Sequence, residues 1–199
     1  MIALWDLGNV VVQWNPDKIL RMIDLPPDKA EPVRALLQGG KLWLDLDRGV
    51  TDEETVAATI AAQSGLEKTE LFRCFDIVRE SLVDFEASIA LLHEMKSAGI
   101  PLYVLSNMSQ VNAAFLRQRP YFKLFDGVVI SAEEKLIKPD PALFQVVLDR
   151  YHLAAEEIVF IDDGELNIKA AQSLGMHGVH FKATDECYAS VRGYFPELS

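Results

Sequence analysis

Cysteine, histidine, basic charge and long apolar runs are all scarce in this chain. Cys74 and Cys187 are the two cysteines among 199 residues. They stand far apart, in no Cys-x-x-Cys pair and near no histidine at metal-ligand spacing, so they read as reduced thiols of a cytosolic protein. The four histidines, His93, His152, His177 and His180, fall in helix or strand patterns without ligand spacing and are assigned no role. Lysine and arginine number 19 against 30 acids, a formal charge of -11. Such a surface repels nucleic acid and anionic lipid, so neither is an expected partner. An anionic substrate stays open, because one lysine, one metal ion and a few backbone N–H groups reverse the potential locally. No apolar run approaches the roughly 18 residues needed to span a bilayer. The opening Met1-Ile2-Ala3-Leu4-Trp5-Asp6 has no basic segment and soon meets an acid, so no signal peptide is expected and the expected location is cytoplasmic. There is no internal repeat, no low-complexity segment and no Gly/Ser linker.

What is present is a globular composition, 50% hydrophobic and 25% charged. At this length the chain buries a sizeable core without disulfides or a structural metal, which excludes disorder as the main state. Ile2 to Leu7 is a short apolar run ending in Asp6-Leu7-Gly8-Asn9, the pattern of a buried strand entering a turn. Pro101 to Leu105, Phe125 to Ile130, Ile158 to Ile161 and Gly178 to Phe181 repeat it, giving five expected strands. Amphipathic segments lie between them: Asp84 to Ala98, stopped by Gly99, Pro141 to Tyr151, and Glu165 to Leu174, stopped by Gly175. Strand and helix in alternation, with continuously apolar strands, predict a Rossmann-like parallel sheet in a three-layer α/β/α arrangement.

One stretch breaks the alternation. From Trp14 to Val83 there is no convincing strand. Helix signals replace it, including Pro26-Pro27 before a helical run to Leu37 and a capping box at Thr51-Asp52-Glu53-Glu54 before Val56 to Ala62. The expectation is a core formed by residues 1–13 and 84–199 and an inserted helical cap formed by 14–83. Short hinges near Trp14 and Val83 would let the cap move as a unit.

Ligands bind outside the carboxyl ends of the strands in an open parallel sheet. The first strand delivers Asp6, the second Ser106 and Asn107, and the fourth Asp162 and Asp163. The loop after the third carries Lys138-Pro139-Asp140-Pro141, where Asp140 can cap the helix starting at Pro141. Three carboxylates, a hydroxyl, an amide and a lysine would meet at one sheet edge.

That constellation resembles the haloacid dehalogenase superfamily over nearly the whole chain, and within it the capped phosphatases. The family's Asp-x-Asp motif matches Asp6-Leu7-Gly8-Asn9-Val10 at its first acid. Its Ser or Thr motif matches Val104-Leu105-Ser106-Asn107, its lysine before proline matches Lys138-Pro139, and its acidic motif matches Asp162-Asp163-Gly164-Glu165-Leu166-Asn167. The resemblance implies a Mg²⁺-dependent phosphatase acting on a small phosphorylated metabolite through an aspartyl-phosphate at Asp6. It implies Mg²⁺ on Asp6, the Gly8 carbonyl and Asp163, with Asp162 behind them or exchanged with Asp163. Ser106 and Asn107 would hold phosphoryl oxygens, Lys138 would neutralise the phosphate and Asp6, and Asn167 would orient Lys138 or Asp162. Gly8 departs from the pattern, since most phosphatases of the superfamily have there a second Asp that protonates the leaving group. Members resembling bacterial sugar-1-phosphate phosphatases also read Asp-Leu-Gly-Asn-Val, so Gly8 reads as a subfamily trait, with Asn9, Asp162 or a substrate-bound water as candidate proton sources. A 2-haloacid dehalogenase is disfavoured by Asp162-Asp163, and a weakly active phosphate-binding regulatory protein is the other alternative. For Trp14 and Trp43, buried packing is expected over lining a substrate entrance. Oligomeric state and substrate identity are not encoded in any pattern found.

Overall fold

The structure, a computed structural model, describes residues 1–198. Five strands form one parallel sheet: β1 (Ile2–Trp5), β2 (Leu102–Ser106), β3 (Gly127–Ile130), β4 (Ile158–Asp162) and β5 (His177–His180). Their order is β3-β2-β1-β4-β5. The central β1 pairs with β2 at Ala3↔Leu102 and with β4 at Trp5↔Ile161. All five expected strands are present within one or two residues.

Both faces of the sheet are covered, which is why its strands are apolar throughout rather than alternating. Ala3, Trp5, Val104 and Ile161 point to one side, onto α6 (Glu86–Ser97), α7 (Gln110–Leu116) and α11 (Asp185–Arg192). Leu4, Leu105, Val129 and Phe160 point to the other, onto α9 (Pro141–Tyr151) and α10 (Glu165–Ser173). Asp140 caps α9 by accepting from Ala142 N at 2.9 Å, as its place before Pro141 implies.

Between β1 and α6 the chain forms five helices, α1 (Pro16–Ile23), α2 (Pro27–Leu37), α3 (Lys41–Asp47), α4 (Glu53–Ser64) and α5 (Lys68–Ser81). They bury their own cluster, which includes Ile19, Val33, Leu37, Trp43, Val56, Ile60, Phe75 and Val78. The two crossings into this cap run side by side, with Gln13 N donating to Val83 O at 2.8 Å and Phe85 N to Val11 O at 2.8 Å. The capping box expected at Thr51 to Glu54 does not form. Asp52 is the N-cap, accepting from Thr55 N at 2.7 Å, and Thr51 lies outside the helix. A reciprocal box occurs instead at Glu67 and Glu70, starting α5. The short α8 (Ser131–Glu134) follows β3 and faces the cap.

Candidate active site

The strand order changes direction at β1, and the crevice beyond the carboxyl ends of β1 and β4 is where such sheets bind ligands. Asp6 follows β1 immediately, and its N–H donates to Ile161 O at 2.9 Å, fixing it against β4. Asp162 ends β4 and Ser106 ends β2. Lys138 reaches in from the loop after α8 and is 4% exposed.

The ammonium of Lys138 has three protons and meets three acceptors. Its Nζ lies 2.9 Å from Asp6 Oδ1 and donates to Asp162 Oδ2 at 2.6 Å and Leu105 O at 2.9 Å. Asn107 grips the backbone of the same residue in both directions. Its Nδ2 donates to Lys138 O at 3.0 Å and its Oδ1 accepts from Lys138 N at 2.8 Å. The side chain expected on a phosphoryl oxygen is therefore engaged in holding Lys138 in place. Asp162 is wholly buried, and its second oxygen accepts from Gly164 N at 2.7 Å and from Asn167 Nδ2 at 2.9 Å. Both oxygens of Asp162 thus accept from protein donors, three in all, whereas Asp163 spends one oxygen on Asn9 Nδ2 at 2.9 Å.

Asp6, Asp162 and Asp163 each offer a carboxylate oxygen within 4.8 Å of the others. An all-oxygen, anionic set of this kind suits a hard divalent cation such as Mg²⁺. Ser106 Oγ is buried next to the Asp6 carboxyl, whose pKa it helps to lower, and is otherwise without a hydrogen-bond partner among the described residues. The N-cap of α7 is Ser109, so capping does not occupy Ser106. At Gly8 a built Cβ would meet only Trp14 Cβ, at 4.0 Å, so the space beside the backbone is open.

A cavity of about 200 Å³ lies between this edge and the cap, bordered by Asp6, Gly8, Lys138 and Asp163 below and by Trp14, Trp43 and Asp47 above. Ser106 and Asp162 are not on its wall. Trp14 and Trp43 stack with centroids 4.9 Å apart, and they both pack into the cap cluster and line the cavity.

Four residues beyond the expected catalytic, phosphate and metal set also belong to the site. Asn9, at φ 53, ties Asp163 to the first crossing, because its Oδ1 accepts from Trp14 N at 3.0 Å. Its left-handed backbone suits Asn and was the one available signal. Asn112 borders the cavity, 5% exposed, with its Oδ1 unpartnered among the described residues. His180 Nε2 lies 2.9 Å from Asp163 O. Asp47, the last residue of α3, is 7% exposed. Its carbonyl accepts from Ser131 Oγ, which itself accepts from Met108 N at 2.9 Å. Two residues on, Lys135 Nζ donates to Gly49 O. Gly49 lies so close to α8 that a Cβ would strike the Ala132 carbonyl, at a φ of +69°. These contacts seat the end of α3 on the core.

Burial lifts the Asp6 carboxyl to about 6, with Lys138 pulling it down and Asp162 pushing it up. Burial also lifts Asp163, and Asn9 opposes that. For Lys138 the burial cost is outweighed by Asp6 and Asp162 together, so its pKa rises. Asp47 is pushed up to about 7, first by burial and then by the negative charge of Asp6, against lowering from the Ser109 backbone, the Trp43 side chain and more distant Lys138.

The sequence profile of the haloacid dehalogenase-like hydrolases matches residues 3–175. A sesquiterpene phosphatase of Aspergillus oryzae is 30% identical over 181 residues, 89% of this chain and 88% of that protein. A phosphorylated carbohydrates phosphatase of Thermotoga maritima is 31% identical over 90 residues, 45% of this chain and 42% of the other. Among solved structures, a family enzyme of Bacteroides thetaiotaomicron in complex with magnesium and inorganic phosphate superposes with a TM-score of 0.78 at 21% identity, covering 94% of this chain and 97% of that one.

Proposed function

The chain belongs to the haloacid dehalogenase-like hydrolase family, and from that premise we propose that it is a Mg²⁺-dependent phosphatase acting on a small phosphate ester. The observation that carries this reading is the cluster of three carboxylates within 4.8 Å of one another beside a buried lysine bonded to two of them. Such a cluster is costly to fold without a cation and a bound anion. The family's dehalogenase chemistry at carbon has no use for the second and third acids.

Asp6 would hold the ion through one carboxylate oxygen, with the Gly8 carbonyl and Asp163, and Mg²⁺ would there draw charge from the phosphoryl oxygens. Asp162, with its oxygens already bonded, instead orients Lys138, and Asn167 fixes Asp162 in turn. The other Asp6 oxygen attacks phosphorus, and the resulting aspartyl-phosphate is hydrolysed from the same pocket. Lys138 spreads positive charge over Asp6 and the transferring group, and Ser106 with the Asn107 backbone N–H receives a phosphoryl oxygen. Residues 14–83 act as the cap that closes over the substrate and excludes water. The cavity, about 200 Å³ with two tryptophans at its lip, suits a compact substrate with an apolar or sugar-like face. A sugar phosphate fits this, and the carbohydrate phosphatase relative is in keeping with it.

The test is hydrolysis of p-nitrophenyl phosphate, a hexose 1-phosphate and a sesquiterpenyl phosphate, with Mg²⁺ and in EDTA. Turnover should require Mg²⁺ and vanish in Asp6→Asn, whose amide is no nucleophile. Undiminished turnover in either condition would overturn the proposal.

A further inference from the structure

Cleaving an alkyl phosphate ester leaves an alkoxide unless a proton arrives as the bond breaks, and Gly8 has no side chain to bring one. Three carboxylates border the cavity: Asp6, Asp163 and Asp47. The first is paired with Lys138 and the second with Asn9. The third makes no ion pair among the described residues, its carboxyl meeting the Ser109 backbone and the Trp43 side chain, and it comes from the opposite wall, on α3 of the cap. The backbone carbonyls of Asp47 and of Gly49, two residues on, are held by Ser131 and Lys135.

We propose that Asp47 is the catalytic acid of this site, donating its proton to the departing oxygen from the cap side of the cavity. This rests on the phosphatase reading above. As the Asp6 oxygen bonds to phosphorus, the P–O bond to the alcohol breaks, its electron pair goes to the alcohol oxygen, and the Asp47 proton goes with it. The carboxylate left behind then takes a proton from the water that attacks the aspartyl-phosphate. The P–O bond to Asp6 breaks, and Asp6 carboxylate, Asp47 acid and inorganic phosphate result. Burial favours the protonated form of Asp47, against the Ser109 backbone and the Trp43 side chain, whose hydrogen bonds favour the carboxylate. The charged groups that bear on it are Asp6 and Lys138 from the sheet edge. Placing the acid on the cap makes the site complete only when α3 is seated, so proton donation is tied to closure.

The experiment measures kcat/KM for wild type, Asp47→Asn and Gly8→Asp/Asp47→Asn over phosphate esters of rising leaving-group pKa, with Mg²⁺ present. Because kcat/KM reports the first bond cleavage, Asp47→Asn should lose about 10² to 10⁴ on alkyl phosphates and much less on p-nitrophenyl phosphate, whose leaving group needs no proton. The double variant should recover the alkyl esters. Asp47→Asn should also release a burst of p-nitrophenol equal to the enzyme present, because the second step lacks its base. An equal loss across all esters, or no loss, with wild type active and forming the aspartyl-phosphate, overturns the role of Asp47 alone. A wild type that hydrolyses no ester overturns the phosphatase reading and this inference with it. Asp47→Glu, which keeps the acid on a longer arm, should retain the wild-type dependence on leaving-group pKa.

Discussion

Replacing Asp47 by Asn should make the protein more stable at pH 8 and leave it unchanged at pH 4. Folding moves this carboxyl from 3.8 to about 7, so between those values the folded state holds a proton that the unfolded state has released. Stability contributed by such a group falls as pH rises through the window and is lowest above it. A difference of about three pKa units at 1.36 kcal/mol each gives roughly 4 kcal/mol of destabilisation in wild type above pH 7. The group is buried, so solvent screening removes little of this. Asn matches the protonated acid in shape, with one acceptor and one donor end, and lacks the titration. In urea melts run in EDTA, so that no cation shields Asp6, the Asn-minus-wild-type difference should therefore climb from near zero at pH 4 toward about 4 kcal/mol at pH 8. In thermal melts this corresponds to roughly 8–16 °C for a chain of this size. Lys138 and Asp6 are common to both proteins, and the Asp6 titration near 6 largely cancels in the difference. A flat difference across that range, or a less stable Asn variant at pH 8, would refute the claim that the cap holds a buried, reluctant acid.

Lys138→Met leaves Asp6 and Asp162 facing each other without a cation and should cost about 3–5 kcal/mol at pH 7 in EDTA, shrinking toward pH 5 as Asp6 takes up a proton. A loss below about 1 kcal/mol in urea melts would show that this lysine is not what the two acids depend on. Gly49→Ala and Gly65→Ala share a left-handed backbone, at φ +69° and +66°, which costs each roughly 1–2 kcal/mol. A Cβ at Gly65 enters open space, whereas one at Gly49 meets α8, so Gly49→Ala should lose a further ~1–3 kcal/mol and hydrolyse alkyl esters more slowly. Equal losses would mean that the end of α3 does not bear on the core.

The sheet was legible because its signal is local. Ile2 to Trp5, Leu102 to Leu105 and Ile158 to Ile161 are apolar on both sides, and only a strand covered on two faces requires that. Asp6, Ser106 and Asp162 were legible for the same reason, since each sits at the end of such a run. The upper wall was not. Asp47 ends a seven-residue helix, Lys41–Asp47, that has no side-chain cap, and within it Leu44-Asp45-Leu46-Asp47 alternates as a strand would. What separates Asp47 from its half-buried neighbour Asp45 is the contact of its backbone with Ser131, 84 positions along the chain, which no window of sequence contains. The job of Asn107 was hidden similarly, because an amide at a strand end looks the same whether it will grip a ligand or the backbone of Lys138.

The central place of β1 also bears on how the chain is made. Its partners lie at Leu102 and Ile158, so the first strand synthesised is enclosed only when the fourth emerges. The cap's cluster, drawn from Ile19 to Val78, needs nothing from later sequence and can condense while β1 still waits. Sheets closed by such distant partners fold slowly, and an emerging chain with an unpaired apolar strand is prone to stick to others of its kind. Translation that stalls before β4 would leave Ile2 to Trp5 with one bare edge, a ready template for strand addition and a natural handle for a chaperone.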